Sequence, residues 1–140
     1  MRVVHFVAGL MVVAAVALTA PATFAHHAFA AEFDRDKPIT LVGTLTKVAW
    51  VNPHGWIYVD VKGPDGQVTN WGIEFGAPAS LIRRGLRKSD FPIGIEVKVQ
   101  GFLAKSGRPV ANASNVVLPD GRELFAGSST TPGGETADQK

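Results

Sequence analysis

Hydrophobic and polar residues alternate along much of the chain beyond residue 38. A period of two is typical of a β-strand that has one face on the core and the other face toward solvent. Because clusters of glycine, proline, asparagine and aspartate separate the alternating segments, we expect short strands joined by turns. The predicted strands are 39–51, 56–62, 67–75, 95–102, 110–118 and 123–125.

The first predicted strand changes phase part of the way along. Its inward set starts as Leu41, Gly43 and Leu45 and then shifts to Val48 and Trp50. Such a shift inside one strand predicts a β-bulge, or a bend around a small barrel. Gly43 makes the bend easier because it carries no side chain.

The period changes from two to a helical one between the third and fourth predicted strands. Segment 77–86 has a proline near its first turn, apolar residues on one side and arginines on the other, and therefore predicts a short helix. Three strands, a helix and two further strands form the element order of the OB-fold. We expect an all-β domain with one short helix, a small five- to six-stranded OB-fold-like barrel. The alternative is another β-roll, or a sandwich with a helical plug.

The first 25 residues have the pattern of a secretory signal peptide. Arg2 precedes an apolar run, and small residues follow the run. Cleavage after Ala25 leaves His26-His27 at the new N-terminus, whereas cleavage after Ala30 removes both histidines. An uncleaved membrane anchor is a further alternative, although the apolar run is only marginally long enough to span a bilayer.

The sequence thus predicts a signal peptide at 1–25, one barrel domain at 26–126 and a disordered tail at 127–140. The tail is rich in serine, threonine, glycine and proline, a composition that favours disorder. The expected location is the periplasm, or the medium after secretion, with no membrane association once the signal peptide is removed. About 115 residues then remain, which is enough for one core but not for two.

The composition excludes cysteine chemistry and argues against a nucleic-acid partner. The 140 residues include no cysteine, which excludes disulfides, thiolate metal sites and thiol catalysis. The formal charge is +2, and it falls to +1 when Arg2 is removed with the leader. A nucleic-acid partner is not expected, because a protein that binds nucleic acid usually has a concentrated basic face.

No enzyme motif is present in the sequence. It contains no glycine-rich phosphate loop before a helix and no histidine pair at helical metal spacing. No serine has a local nucleophile signature, and Asp34 and Asp36 lie in a polar turn typical of solvated charge. We therefore expect binding rather than catalysis.

An aromatic surface is the first candidate site. His54, Trp56 and Tyr58 are two residues apart and share one strand face, and Trp50 lies across the preceding turn. The outer face of an OB barrel binds ligands with aromatic stacking platforms. These four residues are the predicted ligand-binding set, for a small molecule, a glycan or a protein. The alternative is that the N-terminal segment or the helix covers the rings.

The histidines suggest a second function. If cleavage follows Ala25, the histidines of the mature chain are His26, His27 and His54. An N-terminal histidine chelates Cu(II) through its amine and its ring nitrogen, and a second histidine adds a nitrogen in the tetragonal geometry that copper prefers. The alternative function is therefore a periplasmic copper-binding protein; otherwise no cofactor is expected. His54 can also act as an ordinary turn residue that packs on Trp56 or bonds to a nearby carbonyl.

Several motifs together resemble a known family. They are the segments 26–34, 38–48 and 52–61, the shorter motifs 68–71, 83–85 and 111–113, and the motif 118–122. In combination they are similar to the bacterial exported family catalogued as domain of unknown function 6152, over roughly residues 26–127. The resemblance implies export and a single domain. It implies no activity and no site residues.

Overall fold

The computed structural model describes residues 29–134. Residues 29–32 are helical, and a short helix, Pro78–Arg83, and a 3₁₀ turn, Lys88–Asp90, follow the third strand. The six strands are β1 (Phe33–Ala49), β2 (Trp56–Lys62), β3 (Val68–Glu74), β4 (Glu96–Ala104), β5 (Val110–Val117) and β6 (Glu123–Phe125).

The six strands form one sheet in the order β3-β2-β1-β4-β5-β6, and an additional pairing joins β3 to β5. That pairing is parallel and matches residues 72–74 with residues 110–112, whereas the other strand pairs are antiparallel. It closes β1, β2, β3, β5 and β4 into a barrel-like ring. The predicted all-β, OB-fold-like architecture with five to six strands is confirmed.

The core fills the inside of this ring. Ile57 and Val59 of β2 are fully buried, whereas Trp56 and Tyr58 beside them are half-exposed, which confirms the predicted alternation. Trp71 is partly buried and packs against the core. Full burial of an aliphatic side chain such as that of Ile57 stabilises the folded state by about 1.5–3 kcal/mol. The large buried side chains are Leu41, Leu45, Ile57, Val59, Ile73, Phe75, Leu81, Leu86, Phe91, Val97, Val99, Val116 and Leu118.

The predicted irregularity in the first strand is a β-bulge. The register of β1 against β2 shifts between Leu45 and Lys47, which is where the inward pattern changes phase. At Gly43, a Cβ atom would overlap the carbonyl oxygen of Asp60 on β2. This position therefore needs glycine, because the two backbones approach too closely for any side chain.

Both ends of the described chain differ from the sequence-based expectation. β1 begins at Phe33, earlier than the predicted start at residue 39. The tail from Gly127 was expected to be disordered, but residues 127–134 pack against the barrel. Thr131 is buried, and the Gly127 carbonyl accepts a hydrogen bond of 2.7 Å from the guanidinium of Arg84. The hydroxyl of Thr131 donates a hydrogen bond of 2.8 Å to Oδ1 of Asn112, which holds this polar segment against β5.

The predicted signal peptide, 1–25, and the last six residues, 135–140, lie outside the described residues. Between residues 29 and 134, no helix is long and apolar enough to cross a membrane.

Candidate functional site

The outward face of the β2–β3 hairpin carries the aromatic residues of the predicted site. In the register of these strands, Trp56 pairs with Glu74 and Tyr58 pairs with Gly72. Gly72 has no side chain, and it is buried because the rings of Trp56 and Tyr58 both lie against it. A methyl group there would lie 3.6 Å from the Tyr58 ring and 3.8 Å from the Trp56 ring. We call His54, Trp56, Tyr58, Gly72 and Glu74 the outer-face cluster.

His54 joins this cluster because the pairing of β2 and β3 extends beyond the strand ends. The amide of Gly55 donates to the carbonyl of Gly76 at 3.0 Å, and the Gly55 carbonyl accepts from the amide of Phe75 at 2.7 Å. The residue before Gly55 is thereby held beside the end of β3. Its ring nitrogen Nδ1 lies 2.9 Å from Oε1 of Glu74.

Glu74 is the buried member of the cluster. It is 6% exposed, and its Oε1 also accepts a hydrogen bond of 3.2 Å from Nδ2 of Asn112. The Oδ1 atom of Asn112 in turn accepts a bond of 2.8 Å from the hydroxyl of Thr131. Asn112 and Thr131 are each 1% exposed. A chain of buried hydrogen bonds therefore fixes the carboxyl group from below the surface.

Burial raises the pKa of Glu74 above its ordinary value. The nearby carboxylate of Glu32 also raises this pKa, whereas His54 and the hydrogen bond from Asn112 lower it. The direction follows from solvation, since removing a carboxylate from water disfavours its charged form. A buried carboxyl group with a raised pKa beside a partly exposed histidine is a common feature of functional sites.

Trp50 lies away from the outer-face cluster. Its ring centroid is 6.1 Å from that of Phe91, and the ring packs against the hydrophobic core. The structure therefore brings together three of the four predicted ligand-binding residues, His54, Trp56 and Tyr58, and places Trp50 on the core side. This agrees with the phase shift in β1, which already indicates that Trp50 faces inward.

The predicted metal ligands are only partly described. His54 lies in the outer-face cluster, whereas His26 and His27 lie outside the described residues. Within residues 29–134, no group of three or more histidine, aspartate or glutamate side chains is arranged to hold a metal ion.

The N-terminal phenylalanines pack against a different part of the barrel. The ring of Phe29 lies 5.5 Å from that of Phe102 on β4 and 5.7 Å from that of Phe33. These contacts cover the outer surface of β4. Trp56 and Tyr58 stay half-exposed on β2.

Three residues in or beside the site were not predicted from the sequence. Glu74 was not singled out, although the β2–β3 hairpin register pairs it with Trp56. Lys47, whose ammonium lies 5.0 Å from the Tyr58 ring centroid, follows the bulge. Asn112 reaches Glu74 only through the parallel pairing of β3 and β5, and no local sequence signal predicts that contact.

The comparisons with known proteins identify one family. The model of a family of unknown function (DUF6152) matches residues 12–112, which is more than half of the chain. A search of curated proteins finds no match.

Proposed function

The chain belongs to the family of unknown function DUF6152, and we propose that it is an exported binding protein whose ligand lies on the outer-face cluster. One observation carries the proposal. The rings of Trp56 and Tyr58 are partly exposed and lie next to each other over Gly72, with the polar His54–Glu74 pair beside them. Few but well-positioned polar groups beside an apolar platform are typical of ligand sites.

A glycan is the ligand class that suits this surface. The faces of OB barrels take oligonucleotides and oligosaccharides. The charged side chains around the two rings are of both signs, since Lys47 is accompanied by Asp60 and Glu74. A phosphate backbone needs a basic surface, whereas a sugar ring needs an aromatic face for its C–H groups and neighbouring donors and acceptors for its hydroxyls.

Binding without catalysis fits the polar groups of the cluster. A histidine–carboxylate pair becomes hydrolytic when an accessible nucleophile lies beside the histidine. The hydroxyl that joins this network belongs to Thr131, which is buried and donates its proton to Asn112. It therefore has no access to a ligand on the barrel surface.

The proposal is tested by affinity electrophoresis of the mature protein in gels that contain soluble β-glucan or peptidoglycan fragments. We expect at least one of these glycans to retard the protein. Trp56→Ala removes a stacking ring, and the loss of about 1–3 kcal/mol of stacking weakens binding about 5- to 150-fold. Circular dichroism of the variant stays unchanged, because the ring lies outside the core.

Ile93→Ala provides the matched control, since Ile93 is an exposed apolar residue, 63% accessible, on another part of the surface. This variant keeps the retardation of the wild type. The proposal fails if neither glycan retards the wild type, or if Trp56→Ala is retarded as strongly as the wild type.

A further inference from the structure

A groove lies on the outer side of the barrel, where β1, β4 and β5 run next to one another. Its volume is about 370 Å³, which falls within the range of about 300–1,000 Å³ typical of small-molecule sites. The phenylalanine contacts on β4 end at Phe102, and the groove begins beside this ring. Because the outer-face cluster belongs to β2 and β3, the groove is a separate surface.

Three polar side chains form a row across the groove. Thr40 of β1 pairs with Gln100 of β4. The register of β4 against β5 shifts between Gln100 and Gly101, which makes Ser114 the extra residue of a β-bulge. The hydroxyl of Ser114 donates to the backbone carbonyl of Gln100 at 3.1 Å, and all three polar residues line the groove. β-Bulges often re-aim a side chain beside a functional site.

This polar row has free hydrogen-bonding capacity. Within residues 29–134, no group bonds to the hydroxyl of Thr40 or to the side-chain amide of Gln100. The side-chain amide has two donor positions and an acceptor oxygen, so it can pair with a second amide in both directions. Because neighbouring strands lie about 4.8 Å apart, the row offers donors and acceptors at regular intervals across the groove.

The neighbouring part of the groove is apolar. Pro38 pairs with Phe102 in the next outward-facing row of β1 and β4, and Ile39 adds to the lining. The edge of one ring contacts the face of the other between Phe29 and Phe102, which holds Phe102 in place. Of the described residues, those that line the groove are all uncharged. An ionic ligand would lose water there without meeting an opposite charge, so the groove suits a neutral molecule.

We propose that this groove binds a neutral sugar that carries an N-acetyl group. The amide N–H of the sugar donates to Oε1 of Gln100, and the acetyl carbonyl accepts from Nε2 of the same side chain. The hydroxyls of Thr40 and Ser114 bond to hydroxyls of the sugar ring, and the acetyl methyl group packs on Pro38 and Phe102. This site goes beyond the outer-face cluster and does not depend on glycan binding there.

The test is a nuclear magnetic resonance titration of the mature, ¹⁵N-labelled protein with N-acetylglucosamine and, separately, with glucose, which lacks the acetamido group. We expect N-acetylglucosamine to shift the side-chain amide signals of Gln100 and the backbone amide signals of Gly101 and Ser114. Glucose should bind at least about 5-fold more weakly, because it cannot form the two hydrogen bonds to the Gln100 amide.

Two substitutions and one control separate the hydrogen bonds from the fold. Gln100→Leu removes the amide with little change in side-chain volume and should lower the affinity for N-acetylglucosamine at least about 5-fold. Thr40→Val replaces a single hydroxyl and should lower the affinity for both sugars about 2-fold or more. Gln67→Leu is the matched control, since Gln67 is exposed in the turn between β2 and β3, and it should bind N-acetylglucosamine as the wild type does.

The proposal is overturned if N-acetylglucosamine shifts none of the groove signals, or if Gln100→Leu and Thr40→Val both bind it as tightly as the wild type. Shifts confined to Trp56 and Gly72 would also overturn it, because they would place the sugar on the outer-face cluster and support the glycan-binding function instead. Shifts confined to the groove would support this site, whatever the outcome of the gel assay for the outer-face cluster.

Discussion

Glu74→Gln tests whether the carboxyl group of the outer-face cluster is buried and titrates as described. Burial raises the pKa of Glu74 above the ordinary value of 4.5. Below pH 4.5 the carboxyl group is protonated in both the folded and the unfolded chain. As the pH rises above 4.5, the unfolded chain releases this proton first, so the free energy of unfolding falls until the pH has passed the folded-state pKa.

The change in the free energy of unfolding follows from the single proton that the Glu74 carboxyl group binds. Where the folded chain holds the proton and the unfolded chain has lost it, the free energy of unfolding falls by about 1.4 kcal/mol per pH unit. Glutamine removes the titration but keeps an oxygen that accepts from Asn112 and His54. The free energy of unfolding of Glu74→Gln, relative to wild type, should therefore increase between pH 4 and pH 6.

The assay is urea unfolding followed by circular dichroism at pH 4, 5 and 6, with linear extrapolation to water. Glu96→Gln is the matched control, because Glu96 is an exposed carboxylate on β4. The change with pH should be larger for Glu74→Gln than for this control. A constant difference for Glu74→Gln from pH 4 to pH 6 would refute the reasoning, because it would mean that the carboxyl group is as well solvated as in the unfolded chain.

Two further substitutions test the packing around the site by urea unfolding. Thr131→Val leaves a buried amide oxygen without its donor and should lower the free energy of unfolding by about 1–3 kcal/mol. Thr69→Val, at an exposed position of β3, should cost under about 0.5 kcal/mol, and equal effects would contradict the packing of residues 127–134. Gly43→Ala overlaps a backbone carbonyl of β2 and should cost more than about 2 kcal/mol. Gly72→Ala has room for its methyl group, and an equally large loss there would contradict the explanation.

Local patterns were sufficient to predict most of the fold. The alternation in 56–62 fixes which side chains of β2 face the core, and the turn at 63–66 pairs β2 with β3. The change of phase near Leu45 predicts the bulge. These signals are readable because each depends on neighbours in the sequence.

Contacts between distant segments could not be predicted in the same way. Asn112 meets Glu74 only because the ring closes through a parallel pairing, which leaves no hairpin signature in the sequence. The packing of Thr131 depends on one hydroxyl group that reaches a buried amide. In a segment with few apolar residues, composition alone favours disorder.

The most direct test of the binding surface is a nuclear magnetic resonance titration of the mature, ¹⁵N-labelled protein with the glycan that retards it in the gel. The chain has three tryptophans and hence three indole N–H signals. The indole signal of Trp56 and the amide signal of Gly72 should shift on binding, and the indole signal of Trp71, which packs against the core, should not. Shifts at Trp71 or elsewhere, with no change at Trp56 and Gly72, would contradict the assignment of the outer-face cluster as the ligand-binding surface.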